Sequence, residues 1–231
     1  MMDLVICGAI IVDHDMIEKV IASCPSYPFS KKYILFDGAP SDVGDLRRES
    51  YLAYTHYIEK KYPEFRVVRF TENVYFREMI NCITSLSEAK RIFVVQDDVL
   101  CHDMDLQLIE KQMNKIEDIN ILCFPHKEIG YEGDHWFKPF DDTFPLPFIK
   151  CHGWSERVFI FDRIKMRDLT SELPSKGRTA KFVEAIYHKA MLSAQWSRST
   201  DDEKELYWKQ WGCYFHYDIH HTHLVGKRSV K

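Results

Sequence analysis

Short apolar runs alternate with longer amphipathic segments over the first 125 residues, and this alternation restricts the chain to few architectures. DLVICGAIIV, from Asp3, is apolar enough for a strand buried on both faces. DHDMIEKVIASCP follows with the spacing of a helix that presents Ile17, Val20 and Ile21, capped by Asp13 or Asp15. The pattern repeats. Tyr33 to Phe36 reads as a second strand closed by Asp37 and Gly38, and DLRRESYLAYTHYIEKKYP as a long helix stopped near Pro63. FRVVRF, RIFVVQDDVL and INILCFP supply further strands, separated by the helical segments TENVYFREMINCITSLSEAK and MDLQLIEKQMNKI. Strands alternating with helices of this length predict an α/β fold, a mostly parallel central sheet with helices on both faces.

Residues 125 to 150 break the rhythm with prolines and glycines among aromatics, which predicts a long loop or short hairpins over one end of the sheet. RVFIFD, 157 to 162, returns the chain to the sheet, and residues 179–197 and 201–211 read as helices. A chain of 231 residues with 45% hydrophobic content fits one domain with a real core. The net charge of −4, with no long basic block, gives no electrostatic footprint for nucleic acid. Seven cysteines, odd in number and never spaced C-x-x-C, suggest neither a disulfide framework nor a zinc ribbon. LVICGAIIV follows an acid and runs straight into DHD, unlike a signal peptide. No other apolar run nears spanning length, so the expectation is a soluble, cytoplasmic protein without a transmembrane segment.

Ligands of parallel sheets sit beyond the carboxyl ends of the strands. Three of those ends carry chemistry: Gly8 and Ala9 at the first, Asp37 after the second, and Asp97 with Asp98 after RIFVVQ. Adjacent carboxylates closing a buried strand repel unless solvent or a cation relieves them, and a hard divalent ion such as Mg2+ or Mn2+ suits them. The competing reading is a helix N-cap made by Asp97, Asp98 or Asp103. Asp37 can accept hydrogen bonds from a ribose or a base imide, or can merely form a turn with Gly38. Arg77 can reach a base or phosphate, or lie on the surface. The tail FHYDIHHTHLVGKRSVK holds four histidines in eight residues; on an extended segment His221 and His223 share one face.

VVQDDV resembles the metal-binding D-x-D region of GT-A-fold nucleotide-sugar glycosyltransferases, and YILFDGAPSD resembles their nucleotide-binding second strand. HLVGK resembles the His-x-x-Gly ending of some members. The resemblance implies a nucleotide-diphosphate sugar of UDP or GDP type as donor, a carbohydrate or glycoconjugate acceptor, and Mn2+ or Mg2+ as cofactor. Residues 1–125 would be the nucleotide-sugar half, and residues 126–231 the acceptor half with its His-rich tail. Asp98, His221 and His223 would hold the metal. Asp97, Gly8, Ala9, Asp37, Arg77 and Lys227 would bind the nucleotide. An acidic base follows the Gly153 segment and its strand in such enzymes, and Glu184 falls at that place, with Glu156 and Asp134 as competitors. Gln96 and Val95 stand where some relatives carry acids, which shifts metal binding towards Asp98, and Ala185 stands where the inverting subgroup carries the second acid of the pair that begins at Glu184. The implied reaction is glycosyl transfer, with inversion.

AIIVDHDMI also fits the strand-then-Asp-x-Asp pattern of haloacid-dehalogenase-like phosphatases, with Asp13 as nucleophile and Asp15 as acid. A non-catalytic nucleotide or sugar-binding module is the third reading. The Gly-rich first loop of a sugar nucleotidylyltransferase is absent.

Overall fold

The computed structural model describes residues 1–9, 15–102, 104–124, 148–150, 157–171, 200–216 and 221–223. Strand β1 (Met2–Gly8) lies between β2 (Lys32–Phe36) and β4 (Arg91–Gln96), parallel to both. β3 (Arg66–Arg69) adds to the outer side of β2, again parallel. Beyond β4 the sheet turns mixed. β8 (Val158–Asp162) runs antiparallel between β4 and β6 (Ile121–Cys123). β9 (Cys213–His216) pairs parallel with β6, and β7 (Phe148–Lys150) closes the order β3-β2-β1-β4-β8-β6-β9-β7. Helices α1 (Met16–Ser23), α2 (Asp45–Lys61), α3 (Tyr75–Leu86), α4 (Leu106–Met113), α5 (Arg163–Ser171) and α6 (Asp201–Trp211) complete the layers. The expected α/β class holds, as a mostly parallel mixed sheet flanked by helices.

The central strands carry unbroken apolar runs because both sheet faces are covered, and alternate residues feed separate cores. Leu4, Ile6, Ile34, Phe36, Phe93 and Val95 face one core with Ile17 and Val20 of α1, Ile58 of α2 and Ile109 of α4. Val5, Cys7, Leu35, Ile92 and Val94 face the other with Met79, Ile80 and Ile83 of α3 and Met166 of α5. Each fully buried aliphatic side chain contributes roughly 1.5–3 kcal/mol, so the two layers hold the four central strands in fixed register. Asp3 breaks the apolar run of β1 yet is 1% exposed. Its Oδ1 accepts from the Lys31 amide at 2.9 Å and its Oδ2 from Ser87 Oγ at 2.6 Å, tying the amino ends of β1 and β2 to the end of α3.

Helix ends follow local chemistry. Asp105 caps α4 by accepting from the Leu108 amide at 2.9 Å. Asp15 occupies the N-cap position of α1, but its side chain pairs with Lys19 instead of capping; Asp13 lies outside the described residues. A capping box joins Thr200 and Glu203 at the start of α6. Removing it by Thr200→Ala is expected to cost about 1 kcal/mol, read as a lower urea midpoint at unchanged slope. The helix stops at Gly212, φ 55°, where an added Cβ would lie 1.9 Å from the Asp118 carbonyl oxygen. No helix among the described residues is long and apolar enough to cross a membrane. Of the loop or hairpin segment expected at 125–150, residues 148–150 instead form β7 of the main sheet, while 125–147 and the helix expected at 179–197 lie outside the described residues.

Candidate active site at the carboxyl ends of the central strands

Strands β1, β2 and β4 end together, and their terminal residues are stitched to one another. The Asp37 amide donates to the Gly8 carbonyl at 2.8 Å, and the Asp97 amide donates to the Cys7 carbonyl at 3.0 Å. Asp97 Oδ2 then accepts from the Ala9 amide at 2.6 Å, so this carboxylate fixes the chain as it leaves β1. Asp97 is 4% exposed and Asp98 3%. Both sit in the turn between β4 and the short strand β5 (Val99–Cys101), so neither caps a helix.

β5 leaves the main sheet and pairs antiparallel with β10 (His221–His223), placing His223 opposite Val99 and His221 opposite Cys101. The register brings the backbone of the histidine segment to within one residue of Asp98.

 Val99 and His223 are 124 positions apart in the chain, so this pairing is a long-range contact. The side chains of residues 221–223 lie outside the description, as do Lys227, Glu184, Glu156 and Asp134.

Asp37 is placed differently from a ligand-facing carboxylate. It is 5% exposed. Its Oδ1 accepts from the amides of Gly38 at 2.8 Å and Val74 at 2.7 Å, and its Oδ2 from Asn73 Nδ2 at 2.8 Å and the Tyr75 amide at 3.3 Å. It therefore holds the first turn of α3, including Tyr75, whose φ of 61° is left-handed. Burial pushes the Asp37 carboxyl above its ordinary value, against the pull of the backbone hydrogen bonds from Val74, Gly38 and Tyr75. The folded protein thus keeps this proton to higher pH than the unfolded chain. The stability it contributes is complete below the ordinary carboxylate range and is lost as pH rises through the folded value. Relative to Asp37→Asn, which cannot ionise, the wild type is expected to lose stability between pH 4 and pH 7. Urea unfolding of both proteins at the two pH values measures the difference, and parallel pH profiles would contradict it.

Arg77 is also turned inward. It is 8% exposed, and its Nη2 donates to the Thr170 carbonyl at 3.3 Å, linking α3 to α5. The surface placement that sequence reasoning allowed does not occur.

Sequence reasoning missed the cleft beside Asp37. About 610 Å³ in volume, it opens at the carboxyl ends of β2 and β3 and is lined by residues including Pro40, Asp42, Arg48, Glu72, Asn73 and Tyr75. The PSD and TEN segments that form it read only as polar loops; the left-handed Tyr75 leaves no sequence signature.

Among the described residues, no group of three or more His, Cys, Asp or Glu side chains is arranged to hold a metal ion. The donor chemistry of the β4–β5 turn still fits a hard cation, because Mg2+-like ions are commonly held by one or two carboxylates plus phosphate oxygens. Two adjacent carboxylates taken out of water also favour a cation beside them.

Sheet order, strand directions and the position of the acidic turn define a GT-A-like α/β fold in a single domain. Solved structures share it. S. aureus TarS 1–349 in complex with UDP-GlcNAc aligns over all of this chain and 60% of its own length, with TM-score 0.58 and 14% identity. The mannosyltransferase PcManGT from Pyrobaculum calidifontis, in complex with GDP-Man and Mn2+, aligns over 98% of this chain and 58% of its own, with TM-score 0.59 and 11% identity. The chain therefore spans about 60% of the length of these structures, and likeness at such identity shows the fold alone. No family model matches the sequence, and no curated protein matches it.

Proposed function

We propose that the protein is a metal-dependent glycosyltransferase that moves a sugar from a UDP- or GDP-type donor to an acceptor hydroxyl with inversion. The observation that carries this reading is the pair of buried carboxylates, Asp97 and Asp98, at the end of the central strand, next to the hydrogen-bonded histidine strand. The complexes of the two structural neighbours with UDP-GlcNAc and with GDP-Man and Mn2+ support the donor class.

Asp98 would hold Mn2+ or Mg2+, with His221 or His223 completing the protein ligands. When bound, the ion supplies electrostatic stabilisation of charge on the leaving diphosphate. Asp97 holds the Ala9 amide and so shapes the backbone of Gly8 and Ala9 over which the diphosphate would pass. The cleft beside Tyr75 would take the nucleoside, its wall held by Asp37 acting as a positioning residue. Lys227 would add positive charge at the diphosphate. Glu184 would take the proton from the acceptor hydroxyl as its oxygen attacks the anomeric carbon, with Glu156 the competing base.

Release of nucleoside diphosphate from a panel of UDP- and GDP-sugars, with Mn2+ and a mixture of simple glycoside acceptors, tests the assignment. Turnover of one donor, reduced at least ~100-fold in Glu184→Gln, is the expected result. Tight donor binding with no release from any sugar would favour a binding module.

A further inference from the structure

Two cysteines lie where α1 ends against β5. The Cys101 amide donates to Ser23 Oγ at 3.0 Å, which pins the last residue of β5 to the last residue of α1. Cys24 is the next residue, half-buried, and packs against the same core cluster that contains Cys101. The Cys24 thiol and burial both push the Cys101 thiol pKa up. Both cysteines are free.

The juxtaposition matters because of what β5 carries. Its first residue follows Asp98, and its partner strand is β10 with His221 and His223. We propose that Cys24 and Cys101 form a reversible disulfide that staples α1 to β5 and, through β5, adjusts the acidic turn and the histidine strand. The effect on nucleotide binding rests on the function proposed above; the staple itself does not.

The chemistry balances with hydrogen peroxide as oxidant. The half-exposed Cys24 sulfur attacks one peroxide oxygen, breaking the O–O bond, and becomes a sulfenic acid while water is released. The Cys101 sulfur then attacks Cys24 sulfur, the S–O bond breaks, and the hydroxyl leaves with the Cys101 proton as a second water. Two thiols lose two electrons and two protons, and one peroxide is reduced to two waters. Bond formation brings the sulfurs to about 2.05 Å, which draws the end of β5 towards α1. Shifts on the order of an ångström at a site frame are enough to change binding and rate severalfold or more.

The test is mild peroxide treatment of the whole protein, followed by thiol counting and peptide mapping. Free thiols are expected to fall by one pair, with Cys24 and Cys101 in one cross-linked peptide that dithiothreitol separates. The oxidised protein should melt roughly 5–10 °C higher, because the bridge closes a long loop in the unfolded chain. Cys24→Ser and Cys101→Ala should each abolish the cross-link and the rise in Tm. A disulfide elsewhere, or unchanged thiols, would overturn the proposal. Binding of UDP and GDP with Mn2+ is then compared in the two redox states. A severalfold reversible change supports the regulatory role, and identical binding overturns it. If neither state binds nucleotide while the cross-link forms, the staple stands and the proposed function fails.

Discussion

Asp98→Ala is expected to abolish Mn2+-dependent binding of nucleoside diphosphate, weakening it on the order of 100-fold or more. Loss of a partner behind a metal ligand already costs 10–100-fold in many sites, and Asp98 is the ligand itself in the proposed site. Its carboxylate is 3% exposed at the end of β4, beside a second carboxylate that is 4% exposed. Asp97 is engaged by the Ala9 amide at 2.6 Å, so it cannot simply replace Asp98 without releasing the chain after β1. A second readout is thermal. A ligand at 100 times its Kd stabilises the wild type by about 2.7 kcal/mol, and the variant should gain almost nothing from nucleotide plus Mn2+. Equal metal-dependent shifts in both proteins would remove Asp98 from the site.

Gly38→Ala is expected to destabilise the protein by about 3 kcal/mol or more and to weaken nucleotide binding with it. An added Cβ would lie 2.1 Å from both the carbonyl carbon and oxygen of Glu72, and 2.5 Å from its amide nitrogen. These are backbone atoms, which cannot rotate away as the end of a side chain can. The loop after β2 and the loop after β3 would have to separate. That separation would pull on Asp37, which accepts from Gly38 on one side and from Asn73, Val74 and Tyr75 on the other. Because Glu72, Asn73 and Tyr75 also line the 610 Å³ cleft, stability and the site should fail together. Urea unfolding gives the first quantity and titration of nucleotide the second. A midpoint equal to wild type would mean the two loops are not held at this distance in solution.

The class of fold was legible because both faces of the sheet are covered. Each central strand then has to be apolar throughout, and the runs from Leu4, Tyr33 and Ile92 stand out against the amphipathic helices between them. The antiparallel entry of β8 between β4 and β6 was not legible. VFIFD would look the same running either way.

The site was partly legible for a similar reason. Two adjacent acids after four apolar residues are visible in any one sequence, and they do lie buried at the carboxyl end of a central strand. What surrounds them comes from residues far apart in the chain. The pairing of Val99–Cys101 with His221–His223 has no local pattern, because three-residue strands are too short to show alternation. Asp37 shows the limit of reading a residue by its position at a strand end. A carboxylate there can face a ligand or its own protein, and the donors that occupy it sit 36 to 38 residues later, at Asn73, Val74 and Tyr75. Arg77 likewise turns to a carbonyl 93 residues away.

Isothermal titration of UDP and GDP into the wild-type protein, each with and without Mn2+, tests the central claim most directly. The account predicts that one nucleotide binds, that binding needs the metal, and that Mg2+ or Mn2+ restores it after chelation. Absence of nucleotide binding under every metal condition would contradict the transferase assignment.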